Sequence, residues 1–549
     1  MRTSVLIISA VAGILSWMPA TADQYRIKGV PPAPQPDDEI ITNPLPDLPR
    51  ETYMKNGYGW VWTDNDNIAS MSSTGSVSMV VRDGDKIYLS NPMSLMEVEG
   101  WLEGTVEGDR ITLKLPQYVQ HRFEKTPVGQ PNIYYDDYIL ALDYGEDEDG
   151  SWYFPCEEQT YVFIIQPDGS FIPEDETVML GHCIWINPED YGDNESEPQW
   201  DWRGSGDIYK SLVPVRDTPV EVPAQTEFEN YNIIYNQTYF PVQVGFNGND
   251  CYIKGLCHVD EGLKDAAIKG TLADGKITFP TGQYFGIMPK YLNTAFFMAG
   301  KSVVEKNEDN QDVRHFKPGE KMVFDYDPEN HILTSADDFC LSVTMDEPYY
   351  VDFIMNPTIR INDPDAKVEK LYTPIYWDLY PQTDYNGFVL PNQPLFILPI
   401  VSEDLIPLDT DRLFYQVFVN EDLFTFYHDE YPSIEDELTE IPFAYNDDDD
   451  FYGSGTLQYL YVKPLDVESL AVRSVYYNKD GSVVYSDKLY FIGEDPSGVE
   501  NITDADKTVV DTEWYDFTGR RIQSPVAGIS IRVDRLSDGT TKTTKSIYR

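Results

Sequence analysis

Leu102-Glu103-Gly104-Thr105-Val106-Glu107-Gly108-Asp109-Arg110-Ile111-Thr112-Leu113 and Ile268-Lys269-Gly270-Thr271-Leu272-Ala273-Asp274-Gly275-Lys276-Ile277-Thr278-Phe279 align without a gap, and the match runs on to Gln117-Tyr118 against Gln283-Tyr284. Each stretch is two short apolar-alternating runs around a Gly/Asp pair, and Gly accepts the positive φ that a tight hairpin needs. The stretch therefore reads as a β-hairpin present twice. Working outward, Gly84-Asp85-Lys86-Ile87-Tyr88-Leu89 aligns with Gly248-Asn249-Asp250-Cys251-Tyr252-Ile253, and the block from Tyr161-Val162-Phe163 to Pro167 aligns with that from Met322-Val323-Phe324 to Pro328. The offset stays near 164 residues, so two homologous domains are expected, at about 53–215 and 220–365. Many short strands with Gly/Asp punctuation predict sandwiches or barrels. Two copies are too few for a solenoid.

Residues 23–52 hold Pro31, Pro32, Pro34, Pro36, Pro44, Pro46 and Pro49, a composition that favours extended polyproline conformations and builds no core. They are expected to act as a linker. From 366 to 495 the pattern changes: Leu413–Val419, Leu457–Val462 and Val472–Tyr477 read as strands, and a turn at Asn478-Lys479-Asp480-Gly481 leads into a strand at 482–485. That spacing predicts an immunoglobulin-like sandwich. The segment from Leu408 to Phe426, followed by Thr439-Glu440-Ile441-Pro442, resembles Ig-like modules of secreted Bacteroidota proteins. The expected fold class is all-β: two duplicated sandwich- or barrel-like domains, an Ig-like sandwich and a small C-terminal β module at 505–549.

The chain has 549 residues, 41% apolar and 13% aromatic with 39 tyrosines, enough for cores in three or four domains with a bias toward sheet. The net charge of −53 opposes nucleic acid and anionic lipid as partners, since phosphate recognition needs clustered Lys and Arg. Five cysteines, Cys156, Cys183, Cys251, Cys257 and Cys340, allow disulfides in an oxidising compartment, with Cys156–Cys183 and Cys251–Cys257 as pairs close in sequence or domain.

Both ends read as export signals. Arg2, the apolar run Val5–Leu15 and the small-residue site Ala20-Thr21-Ala22 form a secretory signal peptide over residues 1–22. The apolar run is too short to span a bilayer, so no transmembrane segment is expected. From Trp514 onward there are seven Lys/Arg and three Asp/Glu, which leaves the remainder at −57. Tyr515-Asp516-x-x-Gly519-Arg520, then Gly528-Ile529-x-Ile531 after a turn, then Lys542 and Lys545 resemble the type A sorting domain of the type IX (Por) secretion system of the Bacteroidota. The resemblance covers about 45 residues. It implies a protein secreted or held on the outer cell surface, with that secretion machinery as a partner.

No GxSxG elbow, HExxH, P-loop, GxGxxG or paired-cysteine zinc spacing is present, and six histidines show no recognisable pairing. Asp447-Asp448-Asp449-Asp450 and Glu146-Asp147-Glu148-Asp149-Gly150 are acidic loops; carboxylates so placed can bind Ca²⁺, though neither has the EF-hand order, and no other cofactor is indicated. Trp60-Val61-Trp62 and Trp200-Asp201-Trp202-Arg203 place indoles at i and i+2, on one face of a strand. Exposed, Trp60, Trp62, Trp200 and Trp202 would stack sugar rings, with Asp201 and Arg203 for the hydroxyls; buried, they are core. The reading is a non-catalytic binding or scaffold protein for a glycan or host surface. The alternatives are a carbohydrate-active hydrolase using paired carboxylates and a subunit that assembles by strand exchange.

Overall fold

A computed structural model describes residues 33–34, 39–62, 68–94, 98–124, 133–147, 150–186, 199–201, 205–306, 312–345, 350–380, 392–435, 437–447, 449–464, 467–493, 509–516, 521–522, 528–536 and 541–548. The chain is all-β, with two 3₁₀ turns as the helical elements among these residues. The signal-peptide reading at 1–22 lies outside them. No helix among them is long and apolar enough to cross a membrane.

The duplicated stretch is an antiparallel hairpin both times, Leu102–Glu107 with Arg110–Lys114 and Ala267–Ala273 with Lys276–Pro280. Asp274 and Gly275 both have positive φ, the type I′ signature, whereas the first copy makes the turn with Gly108 alone in that region. Both second strands alternate inward and outward in the same way, with Ile111 and Leu113 or Ile277 and Phe279 fully buried. Across the hairpin, a Cβ on Gly104 or Gly270 would come within 2.7 Å of Leu113 or Phe279. A glycine faces the large inward side chain in each copy, which explains its place in the repeated sequence.

Each hairpin belongs to an eight-stranded ring. In the first repeat the ring runs through Glu51–Trp62, Val77–Asp83, Lys86–Leu89, Leu102–Glu107, Arg110–Lys114, Thr160–Ile165, Phe171–Pro173 and Ser205–Pro214, and closes where the last strand pairs with the first. The second is a closed barrel of Glu227–Tyr235, Thr238–Asn247, Asp250–Lys254, Ala267–Ala273, Lys276–Pro280, Lys321–Asp327, Ile332–Thr334 and Thr358–Ile361. The registers superimpose: Lys86 opposite Thr105 corresponds to Asp250 opposite Thr271, and Tyr161 opposite Leu113 to Met322 opposite Phe279. Each barrel carries a side sheet, led by Gln117–Glu124, Ile133–Asp147 and Val178–Ile186 in one repeat and by Gln283–Met288, Asn293–Lys306 and Asp338–Ser342 in the other. Even the bulge recurs, after Tyr118 and after Tyr284.

One glutamine ties barrel to side sheet in both copies. The Gln117 side chain accepts from the Glu103 N–H and donates to the Glu103 and Lys114 carbonyls. Gln283 does the same with Lys269 and Pro280.

The third region packs one sheet of Ile375–Tyr380, Gln393–Ile397, Leu457–Leu460 and Phe451–Ser454 against a second built on Leu413–Val419 and Leu470–Tyr477. Phe396, Tyr415, Val417, Phe451 and Val472 share the core. At the C-terminus Val509–Asp516, Arg521–Ile522, Gly528–Leu536 and Thr541–Tyr548 form a four-stranded antiparallel sheet.

Two expectations need correction. The five cysteines, all among the described residues, are thiols outside any disulfide. Cys251 and Cys257 are sealed in the second barrel core, where they pack as small apolar groups. The end of the Pro-rich stretch is also more than a spacer: Pro44 is buried, the Ile41 carbonyl accepts from the Trp101 N–H, the Arg50 guanidinium lies 4.9 Å from the Trp101 ring centre, and the first barrel strand already begins at Glu51.

Candidate functional site

The two repeats meet edge to edge. Val77 N–H donates to the Leu292 carbonyl and Thr294 N–H to the Gly75 carbonyl, while the Thr294 hydroxyl, 3.4 Å from that same Gly75 oxygen, donates at 2.6 Å to Val343 within its own repeat. A Cβ on Gly75 would fall 2.5 Å from that of Val343, so the contact is as close as a backbone without a side chain permits. Beside this seam lies a groove of about 480 Å³.

The groove wall comes from the first and last strands of the first barrel. On Glu51–Trp62, Lys55 points inward, so Met54, Asn56 and Tyr58 point out. On Ser205–Pro214, Lys210 points out beside them, and its Nζ lies 4.8 Å from the centre of the Tyr58 ring. Asn56 donates to Ser211 at 2.9 Å. Gly57 lets the strands approach: a Cβ there would strike the Ile208 carbonyl oxygen at 2.1 Å. Val215 and Asp217 follow the barrel, and the second repeat adds Phe296, Thr344 and Met345. The result is an apolar floor, an exposed tyrosine ring, an amide, two hydroxyls and one charge of each sign. Interfaces between domains are where such sites commonly form.

The tryptophans expected to make a platform are elsewhere. Trp60 shares the outward face of Tyr58, but the side sheet covers it: its ring meets Tyr144 edge-on at 5.7 Å and it is 7% exposed. Trp200, opposite Trp185 in register, is equally buried, with its ring edge-on to Trp185 and Tyr138. For these two the platform reading is corrected to core. The side chains of Trp62 and Asp201, and residues Trp202 and Arg203 altogether, lie outside the described residues. The groove could have been found two residues upstream of Trp60: Tyr58 is the large aromatic on that face which the side sheet leaves exposed, but coverage depends on a sheet distant in sequence.

A second cleft, of about 420 Å³, bears on the paired-carboxylate alternative. Asp143, Glu157, Glu158, Glu174 and Asp175 line it. Glu174 is held by both terminal nitrogens of Arg110, and Asp175 accepts from the Thr177 hydroxyl and N–H. These partners push both carboxyls below their ordinary range, the wrong direction for a proton donor. In the acidic loop, Asp447 accepts from the N–H groups of Asp449, Asp450 and Phe451 and from Ser433, while Asp450 pairs with Lys463 at 2.8 Å. The Asp447 carboxylate thus serves the loop's own backbone, and that of Asp450 serves Lys463. Among the described residues no group of three His, Cys, Asp or Glu side chains is placed to hold a metal.

Two polar clusters distinguish the first repeat from the second. In the barrel, Lys55 and Asp207 meet at 3.4 Å. In the side sheet, the Asp137 carboxylate lies 3.1 Å from His182 Nε2 and accepts from Arg122. The ladder registers place Ile233 and Ile354 where the barrel pair stands, and Ala295, Leu341 and Met288 where Asp137, His182 and Arg122 stand. No family model, curated protein or solved structure matches this chain.

Proposed function

We propose that the protein is a secreted or cell-surface binding protein that takes a saccharide in the groove between its repeats, exported through its C-terminal module by the type IX machinery. The observation that carries the binding reading is the groove itself, where a Tyr58 side chain 41% exposed stands with Asn56, Lys210 and Asp217 over an apolar floor. A sugar presents an apolar face and a rim of hydroxyls, and this surface offers a partner for each. In the second cleft the partners of Glu174 and Asp175 favour their ionised forms, which suits these two acids poorly to proton donation. Export rests on the sorting-domain resemblance together with the basic balance of the tail.

Two experiments test this. The mature protein is applied to an array of neutral and acidic oligosaccharides, and the best ligand is measured by calorimetry against Tyr58→Ala. Loss of about tenfold or more in affinity is expected, since a stacked ring contributes on the order of 1 kcal/mol or more beyond its area. Retention of no oligosaccharide, or unchanged affinity in the variant, would overturn the binding site. Separately, deletion from Trp514 onward is expected to hold the chain in the periplasm, and unchanged surface delivery would overturn the export reading.

A further inference from the structure

The first barrel closes where its first strand, Glu51–Trp62, pairs with its last, Ser205–Pro214. Inside that seam Lys55 Nζ lies 3.4 Å from Asp207 Oδ2, and each side chain is 1% exposed. Ser94 touches both groups: its Oγ accepts from Nζ at 3.1 Å and its N–H donates to Oδ2. The remaining oxygen, Oδ1, is buried with no hydrogen-bond partner. The Tyr209 ring, centred 5.0 Å from Nζ, packs with Phe163 and Tyr161 in the same core. As a salt bridge this arrangement is costly, because two ions leave water and one carboxylate oxygen gains nothing in return. The fold does not need it: the ladder positions that correspond to Lys55 and Asp207 hold the buried Ile233 and Ile354 in the second repeat, whose barrel closes with Ile233 opposite Ile359.

We infer that Lys55 and Asp207 are the two halves of an intramolecular amide bond that ties the first strand of this barrel to its last. Burial pushes the amine down and the carboxyl up from their ordinary ranges, toward the neutral forms that condense. The lone pair of neutral Nζ attacks Cγ of the protonated carboxyl. The Ser94 N–H holds Oδ2, the oxygen that remains as the amide carbonyl, and stabilises the charge that develops there. The attacking nitrogen gives up one proton, with Ser94 Oγ placed to receive it, and that proton leaves with the Oδ1 hydroxyl as water. One C–N bond forms, one C–O bond breaks, and nothing is oxidised or reduced. Fixed proximity in a site closed to water favours the step.

The test is mass spectrometry on the folded mature protein. The expected result is an intact mass lighter by one water than the mature sequence, with a protease-resistant branched peptide joining residue 55 to residue 207. A K55I/D207I double variant, built from the second repeat's residues at these ladder positions, should show its full sequence mass and a native circular-dichroism spectrum. A full-mass wild-type protein overturns the inference. So does a water loss that fragmentation maps to an aspartimide or to any other pair. The wild-type measurement decides the matter even if the variant does not fold.

Discussion

Replacing Asp137 by Ala separates what the buried charges contribute from what the fold requires. Asp137 is fully buried, His182 nearly so, and Arg122 is 35% exposed. Removing the carboxylate alone strands an imidazole and a guanidinium against the core. Breaking a buried pair in this way costs about 3–5 kcal/mol, and the lower figure applies because Arg122 can turn to water. The triple change D137A/H182L/R122M copies Ala295, Leu341 and Met288, which pack in the second repeat's core, and should return to within about 1 kcal/mol of the parent. In a multi-domain chain a single unfolding midpoint is not well defined, so the measurement is amide exchange over Ile133–Asp147 and Val178–Ile186. A loss of about 3 kcal/mol appears there as roughly 150-fold faster exchange. A pH series adds a sign. Burial alone would raise the Asp137 carboxyl, but His182 and Arg122 outweigh it and the net shift is downward from 3.8. Its stabilisation is then complete above about pH 4 and is lost as pH falls through the depressed folded value. The parent should lose protection in these strands on acidification, and the triple variant should lack that component. Equal damage in the single and triple variants would refute the reasoning, because it would mean that the two repeats do not offer equivalent environments at these positions.

Gln117→Ala and Gln283→Ala should each cost about 1 kcal/mol, read as matching increases in exchange at the Glu103 and Lys269 amides; a large effect in one repeat alone would contradict the shared role. Gly75→Ala should push Val343 away and loosen the contact between repeats, raising exchange at Thr294 with little change inside either barrel. Under native conditions the thiol reagent DTNB should modify none of Cys183, Cys251, Cys257 and Cys340 within minutes and Cys156 only slowly, since burial and then Asp143 push the Cys156 thiol up to about 12. In denaturant without reductant all five should react, and fewer would reveal a disulfide.

How far the sequence reached depends on whether the signal was local. The hairpins were legible because a two-residue Gly/Asp turn between alternating runs is decided within a dozen residues. The third region's main strands were legible for the same reason, and Leu413–Val419 is observed with the predicted bounds. Barrel closure was not legible: Glu51–Trp62 and Ser205–Pro214 are some 150 residues apart, and nothing local announces their pairing. The fate of Trp60 and Trp200 was hidden for a related reason. Alternation assigned their face, but which part of that face a side sheet covers is a tertiary fact. The cysteines misled because an oxidising compartment permits disulfides without supplying the geometry for them.

Within one chain the second repeat acts as a control on the first. At the two buried clusters of the first repeat, the second shows that apolar residues satisfy the same backbone: Ile233 and Ile354 stand where Lys55 and Asp207 do, and Ala295, Leu341 and Met288 where Asp137, His182 and Arg122 do. Since apolar replacements of buried charges are often neutral or stabilising, stability alone does not explain Lys55, Asp207, Asp137 and His182 in the first repeat. Position offers a reason for the seam pair. Lys55 and Asp207 point inward from the two strands whose outward residues, Asn56, Tyr58 and Lys210, line the groove. A tie on the inner face fixes the spacing of those outer side chains, and a binding surface already in its bound arrangement loses less entropy when the ligand arrives. The inner chemistry of the first barrel and the groove on its outside are thus two faces of the same pair of strands.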